Sequence, residues 1–124
     1  MDKPNLLSPS TLAFVGDGVY GLLVREHLAQ INRPAGELHS LSVKMVNANA
    51  QAEAYKIIEP LLSEEEIAVF KRGRNFHTST VPKSSDSGRY HTATGLEALF
   101  GYLYLKEDFA RLKILFQHIW QSAE

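Results

Sequence analysis

The chain has 124 residues, 44% of them hydrophobic, and its 13 Lys and Arg residues balance 14 Asp and Glu residues to a formal charge of −1. A chain of this length holds one hydrophobic core, so we expect a single domain over residues 1–124. The near-neutral charge excludes a uniformly basic nucleic-acid binder, so any site for a polyanion must be local. Because there is no cysteine, disulfides, cysteine-ligated zinc and iron–sulfur clusters are excluded.

The N-terminal residues lack the basic region and apolar run of a signal peptide. The longest apolar-dominated runs cover about 13 residues, which is short of the roughly 20 residues that span a bilayer. We therefore expect a protein of the cytoplasm that does not enter a membrane.

Helix signals dominate the first half of the chain. Ser8-Pro9 predicts a helix start, because serine caps free amide groups and proline suits the first helical position. The apolar pattern runs to about Leu28, and the segment 32–34, Asn-Arg-Pro, then breaks it. Apolar residues at steps of three and four over residues 36–62 predict either one long helix or two consecutive helices, with a break at Asn47 and Asn49.

The second half continues in the same way. Ser63 with glutamate three residues later fits a capping box, so we expect a helix to about Arg72 that Gly73 can end. Residues 75–89 lack apolar periodicity, and a loop of that length is usually functional or disordered.

The helical pattern returns at Tyr90 and ends in a last helix near Trp120. No segment shows the alternation of a strand. The sequence therefore predicts an all-α fold with a helical core over residues 8–122.

Two acidic residues stand alone in apolar surroundings. Asp17 is the one charged residue in the segment 12–24, and Glu97 is the one charged residue in the segment 93–105. A helix that is apolar all round is normally buried, so we expect both carboxylates in or near the core unless a cleft opens there. Burial of an unpaired ionised carboxylate costs several kcal/mol or more, which demands a raised pKa, a cationic partner or a metal.

Glycines flank both acids, at positions Gly16, Gly18, Gly21, Gly95 and Gly101. Glycine destabilises a helix interior, so we expect close packing between two helices to offset this cost. Such packing would bring Asp17 and Glu97 together. Two adjacent carboxylates repel, and Mg²⁺ is the natural ion to relieve this repulsion. The alternative is that each acid pairs with an arginine or caps a neighbouring helix, and the spacing alone does not decide.

A local cluster of basic residues lies in the segment 71–89, where five cations accompany one acid, Asp86. Cations at a helix C-terminus followed by a hydroxyl-rich loop suit contacts to phosphates. The alternative is that Lys71 and Arg72 complement the dipole of the helix end. The candidates of this segment for phosphate contacts are Lys71, Arg72, Arg74, Asn75, Lys83 and Arg89.

Two segments resemble a known family. Residues 12–20, Leu-Ala-Phe-Val-Gly-Asp-Gly-Val-Tyr, resemble the signature helix of the ribonuclease III catalytic domain. Residues 96–105, Leu-Glu-Ala-Leu-Phe-Gly-Tyr-Leu-Tyr-Leu, resemble the second acidic motif of that family. The short length and the segment 71–75, Lys-Arg-Gly-Arg-Asn, look most like the Mini-III branch, and the resemblance covers residues 8–105.

The resemblance implies an all-helical homodimer that cuts double-stranded RNA with Mg²⁺. It assigns Asp17 and Glu97 as the catalytic, metal-binding acids, with one site per subunit and one strand cut at each site. The branch is associated with trimming the ends of 23S ribosomal RNA precursors. Precursor ribosomal RNA is therefore the expected substrate, and a ribosomal protein that presents it is an expected partner.

The chain departs from the family pattern at three acidic positions, which are occupied here by Ser10, Ala13 and Thr94. These departures leave the number of bound metal ions open. No separate double-stranded-RNA-binding domain is expected, so the basic loop over residues 74–89 is the candidate for holding RNA.

Two other functions remain. The first is a non-catalytic RNA-binding protein of the same fold that associates with ribosomes, against which the retention of both acids argues. The second is a helical adaptor without nucleic acid, which would leave the basic segment without a purpose.

Overall fold

A computed structural model of the chain describes residues 1–76 and 87–123. These residues contain six α-helices and no strand, which confirms the all-α prediction. The helices are α1 (Pro9–Ala29), α2 (Ala35–Val46), α3 (Ala48–Ile58), α4 (Glu64–Arg74), α5 (Ser87–Leu105) and α6 (Phe109–Ala123). Within the same residues, no helix combines the length and the apolar character that crossing a membrane requires.

The helix starts that were predicted from capping residues are confirmed. Ser8 precedes α1, and its hydroxyl oxygen accepts a hydrogen bond from the Thr11 amide at 3.2 Å. At the start of α4 the capping box is complete. The Glu66 amide donates to the Ser63 hydroxyl oxygen at 3.2 Å, and the Ser63 amide donates to the Glu66 carboxylate at 2.8 Å.

The segment 36–62 forms two helices that meet at Asn47, with a short 3₁₀ turn (Glu59–Leu61) after the second. Asn47 is extended, with a ψ of 164°, so it cannot continue α2. Its side-chain oxygen accepts a hydrogen bond from the Ala50 amide at 2.8 Å and thereby caps α3. This asparagine turns the chain between the two helices.

The prediction that Gly73 ends α4 is wrong. The helix continues to Arg74, and Gly73 is buried where α4 packs on α5. A Cβ atom at Gly73 would lie 2.6 Å from the Ala98 Cβ and 3.0 Å from the Gly95 Cα. The glycine permits close packing of two helices, and sequence alone does not distinguish this role from helix termination.

Helix α5 already includes Ser87, three residues before the predicted start at Tyr90. Most of the predicted loop, including Lys83, lies outside the described residues. The predicted last helix is confirmed as α6.

Helix α5 is the centre of the domain, because α1, α3 and α4 all pack against it. Its side chains Leu96, Ala98, Leu99 and Phe100 are fully buried. Tyr20 from α1 and Phe116 from α6 pack their rings at 5.6 Å. Burial of these large apolar side chains is the main driving force for folding.

One ion pair fastens α6 to the start of α4. The Arg111 guanidinium donates to both carboxylate oxygens of Glu66, at 2.8 and 2.9 Å, and to the Leu61 carbonyl at 2.7 Å. Glu66 is buried, and a charge in that position needs such a fully bonded partner.

The glycine contacts between α1 and α5 give a stability prediction. We expect Gly101→Ala to lower the free energy of unfolding by about 3 kcal/mol, because the new methyl group would overlap the Leu12 carbonyl. The matched control is Gly36→Ala in α2, which has no atom within 4 Å of the new Cβ and should gain about 0.5–1 kcal/mol. Urea denaturation of both variants measures the difference, and equal stabilities would contradict the prediction.

Candidate active site

The two lone acids line the same cavity. Asp17 on α1 and Glu97 on α5 border a cavity of about 390 Å³ between the two helices. The other residues of its wall are Ser10, Ala13, Phe14, Phe76, Tyr90 and Thr94. The predicted convergence of the two carboxylates is therefore present in the fold.

Glycines next to the acids set this convergence. A Cβ at Gly16 would overlap the carbonyl of Glu97, and a Cβ at Gly101 would overlap the carbonyl of Leu12. The two backbones therefore touch one residue away from Asp17 and directly at Glu97. Because neither helix can shift without separating this contact, the crossing fixes the relative positions of the two backbones that carry the acids.

Two other glycines of α1 do not take part in this crossing. A Cβ at Gly18 would meet nothing within 4 Å, and one at Gly21 would meet the side chain of Arg25. The expectation that all the glycines beside Asp17 serve close packing with α5 is therefore wrong for these two positions.

The electrostatics show that the acids are close. Burial, and then a hydrogen bond and charge repulsion from Asp17, together raise the pKa of Glu97 to about 8. Two carboxyl groups that share a site favour retention of a proton between them. A cation bound between them would relieve both the desolvation and the repulsion.

The two acids differ in exposure. Glu97 is partly buried, whereas Asp17 is exposed at the cavity. The outer face of α1 is also exposed, since Phe14 and Leu22 are 81% and 62% accessible. The expectation that an apolar helix is buried all round is therefore wrong for this face of α1.

The alternative of an arginine partner finds no support in the described part of the chain. There, neither Asp17 nor Glu97 belongs to an ion pair with a lysine or arginine.

The donor set fits a magnesium ion with an incomplete protein shell. Residues 1–76 and 87–123 contain no group of three His, Cys, Asp or Glu side chains arranged around one point. Mg²⁺ commonly uses one or two carboxylates and completes its shell with waters and phosphate oxygens. The hydroxyls of Ser10 and Thr94, at positions where the family pattern has acids, line the cavity without adding charge.

One residue near the site was missed in the sequence. Gln51 on α3 is 2% exposed. Its side chain favours the ionised form of the Glu97 carboxyl group and so lowers the pKa of Glu97. A signal was available, because Gln51 falls on the apolar stripe of α3 that includes Ala48, Ala52 and Tyr55. A polar residue on a buried stripe needs a partner.

The basic candidates are engaged in different ways. The Arg72 guanidinium donates to the carbonyls of Asn5 and Leu7 at 2.9 and 3.1 Å, so it holds the N-terminal segment. Lys71 is exposed. Arg74 lies 5.7 Å from the centroid of the Phe70 ring, and its Nε donates to the Asn75 side chain at 3.1 Å.

Arg74 and Arg89 line a second cavity of about 450 Å³ together with Lys56. Neither Asp17 nor Glu97 borders this cavity. Arg89 also pairs with Glu53 at 3.1 Å. The structure therefore places Arg74 and Arg89 together, at a cavity other than the one that the acids border.

The chain is similar to known proteins in both sequence and structure. Residues 10–108 match the sequence profile of the Ribonuclease III domain. A Mini-ribonuclease 3 from Thermoanaerobacter sp. (strain X514) is 53% identical over 108 residues, covering 86% of this chain and 76% of the relative. A Mini-ribonuclease 3 from Streptococcus pneumoniae is 39% identical and covers 97% of this chain and 96% of its own length. The crystal structure of a Fusobacterium nucleatum protein has a TM-score of 0.88 at 29% identity, over the full length of both chains.

Proposed function

The chain belongs to the ribonuclease III family of endoribonucleases, and from this premise we propose that it cleaves double-stranded RNA at Asp17 and Glu97 with the help of Mg²⁺. The observation that carries the proposal is the meeting of these two carboxylates at one cavity, where burial and repulsion favour a cation. When bound, Mg²⁺ supplies Lewis-acid activation of water and stabilises charge on the phosphate oxygens.

The two acids have different positions in this proposal. Glu97 lies deeper than Asp17, and its backbone is held at the helix crossing. Asp17 is exposed at the cavity, where an RNA phosphate can approach. The hydroxyl of Thr94 donates to the Tyr90 carbonyl at 3.1 Å and needs no role as a nucleophile, because water attacks the phosphorus.

We expect Asp17→Asn and Glu97→Gln each to abolish Mg²⁺-dependent cleavage of a duplex RNA, because each removes one of two charged donors. The fold and RNA binding should remain. Gel analysis of a labelled duplex measures cleavage, and the melting temperature with and without Mg²⁺ gives a second readout, which should rise for the wild type alone. Cleavage at the wild-type rate by either variant would remove that residue from the site.

A wild-type protein that binds duplex RNA without cutting it at any Mg²⁺ concentration would instead favour the non-catalytic RNA-binding protein. A protein that does not bind RNA at all would favour the helical adaptor.

The RNA is proposed to be held through its backbone. The deep groove of an A-form duplex hides the base edges, so phosphates and 2′-hydroxyls are the accessible groups. The residues proposed to contact it are Lys71, Arg72, Arg74, Asn75, Lys83 and Arg89. Support comes from Lys71, which is exposed, and from Arg74 and Arg89, which lie together.

We expect Arg74→Ala to weaken binding of duplex RNA several-fold and to reduce the salt dependence of binding by about one phosphate contact. Cleavage under saturating RNA should persist. Arg33→Ala is the matched control, because Arg33 pairs with Glu37 near the start of α2 and lies outside the basic segment. Filter binding over a salt series measures both variants, and an Arg74→Ala curve that overlays the wild type would exclude Arg74 as a contact.

A homodimer is proposed from the exposed face of α1. Phe14, Gly18 and Leu22 are spaced by four residues and form one exposed stripe on this helix. The two large side chains are among the most accessible apolar groups of the described residues. A stripe of this kind on a central helix is typical of an interface, and Gly18 leaves room for close approach.

We expect Leu22→Asp to shift the protein to a monomer, because a carboxylate would be buried in the proposed interface. Ile114→Asp on α6 is the control, since Ile114 is 52% exposed and lies away from the stripe. Analytical ultracentrifugation measures both, and a Leu22→Asp variant that keeps the wild-type mass would contradict this interface.

In the cell we propose that the enzyme acts in the cytoplasm on the ends of the 23S ribosomal RNA precursor, with a ribosomal protein that presents the RNA. Support comes from the two relatives named Mini-ribonuclease 3 and from the Mini-III segment Lys-Arg-Gly-Arg-Asn at residues 71–75.

A further inference from the structure

Three cations from three different helices border the cavity of about 450 Å³ that lies apart from the acids, and we call it the basic cavity. Lys56 lies in the last turn of α3, Arg74 is the last residue of α4, and Arg89 lies on α5. One carboxylate, Glu59, also borders the basic cavity. Its wall therefore carries more positive than negative charge, and a concave wall concentrates the resulting field.

Two buried rings form part of the wall of the basic cavity. The rings of Tyr55 and Phe70 stack with their centroids 3.7 Å apart. The Arg74 guanidinium lies 5.7 Å from the centroid of the Phe70 ring, and its Nε donates a hydrogen bond to the Asn75 side chain. Because these contacts restrict where the guanidinium lies, Arg74 is a cation oriented by the core of the domain.

A single carboxylate pairs with the other two cations. One oxygen of Glu53 lies 3.2 Å from the Lys56 Nζ and 3.1 Å from the Arg89 Nη2, although Glu53 does not border the basic cavity. The side chains of Lys56, Glu53 and Arg89 are 68%, 53% and 42% exposed. Ion pairs as open to solvent as these contribute little to the stability of a fold. Stability therefore does not account for the grouping of the three cations.

The chemistry of the cations indicates the class of ligand. A guanidinium is a planar, permanently charged group whose N–H donors fit the oxygens of a phosphate, and a lysine ammonium adds a compact charge beside it. An RNA duplex presents its phosphates at the surface, where such groups reach them. A phosphate that enters the basic cavity competes with Glu53, because the carboxylate occupies donors of Lys56 and Arg89 that a phosphate would use.

We propose that the basic cavity is a subsite for one phosphate of the RNA backbone, that Lys56 contacts this phosphate, and that Glu53 holds Lys56 and Arg89 until the RNA displaces it. The inference rests on the proposed function, because it takes duplex RNA as the ligand. It adds a contact from α3, outside the basic segment 71–89, and an acid that weakens binding of RNA. Because the ion pairs of Glu53 are exposed, their release does not prevent RNA from binding.

The test measures binding of a duplex RNA without Mg²⁺, so that binding is separated from cleavage. We expect Glu53→Gln to tighten binding roughly threefold to fivefold and to steepen the plot of log affinity against log salt by about one, because no carboxylate competes with the phosphate. Lys56→Met keeps the apolar stem and removes the charge. It should weaken binding several-fold and reduce the same slope by about one.

A double variant separates competition from simple charge repulsion. If Glu53 acts through the cations that it holds, the gain from Glu53→Gln should shrink in a Lys56→Met background, because one of its two partners is already gone. A gain of equal size in both backgrounds would mean that the RNA responds only to a nearby negative charge, and it would overturn the inference.

The matched control is Glu37→Gln, which neutralises a carboxylate that is 50% exposed and pairs with Arg33 on α2's side of the molecule. It should bind the duplex like the wild type. Variants of Glu53 and Lys56 that match Glu37→Gln in affinity and in salt dependence would overturn the inference.

Inorganic phosphate at constant ionic strength is the second probe. A cavity for free phosphate would show a rise in melting temperature with this ion for the wild type and none for Lys56→Met, while both bind the duplex equally. That result would overturn the assignment to the RNA backbone. The proposed function fails separately, if the wild type binds the duplex but shows no Mg²⁺-dependent cleavage of it.

Discussion

The contact between the backbones of α1 and α5 is the constraint on which the rest of the structure depends. At Gly16 and Gly101 the two helices touch without intervening side chains, so their separation is set by main-chain atoms. Main-chain atoms do not change rotamer, and a contact between them is stiffer than one between flexible side chains. Asp17 and Glu97 lie at this contact, and the geometry of the cavity is thereby tied to the core of the domain.

The same arrangement costs stability at the cavity. Burial and the neighbouring Asp17 carboxylate disfavour the charge of Glu97, as its raised pKa shows. A core that is optimised for stability would not place two acids together. The surrounding structure compensates, with dense burial along α5 and the Arg111–Glu66 pair that fastens α6. A well-packed core thus holds the two acids in place, as is usual for functional sites that are themselves destabilising.

Local chemistry explains which features could be predicted from the sequence. The helix starts at Ser8 and Ser63 and the turn at Asn47 follow from side chains that bind neighbouring amides, so they need no knowledge of the fold. The convergence of Asp17 and Glu97 could be expected because both acids stand beside glycines in apolar runs. The resemblance to a family supplied their proposed chemistry, which residue spacing alone did not contain.

Features that depend on distant partners could not be predicted in this way. Gly73 looked like a helix end, but its role is set by Gly95 and Ala98 on another helix. The sequence groups Arg72 with the other cations of the basic segment. In the structure its guanidinium donates hydrogen bonds to the carbonyls of Asn5 and Leu7. The exposed face of α1 could not be predicted either, because apolar side chains are typical of both a buried core and an interface.

The closeness of the two central helices also decides where this enzyme can be made more heat-resistant. Substitutions at residues that face the crossing of α1 and α5 would move Asp17 and Glu97, so a gain in stability there would come with a loss of activity. Val43 on α2 and Ile114 on α6 are half-exposed apolar side chains that do not line the cavity of the acids. Surface-charge engineering is therefore best begun at those two positions, where a new charge would face solvent.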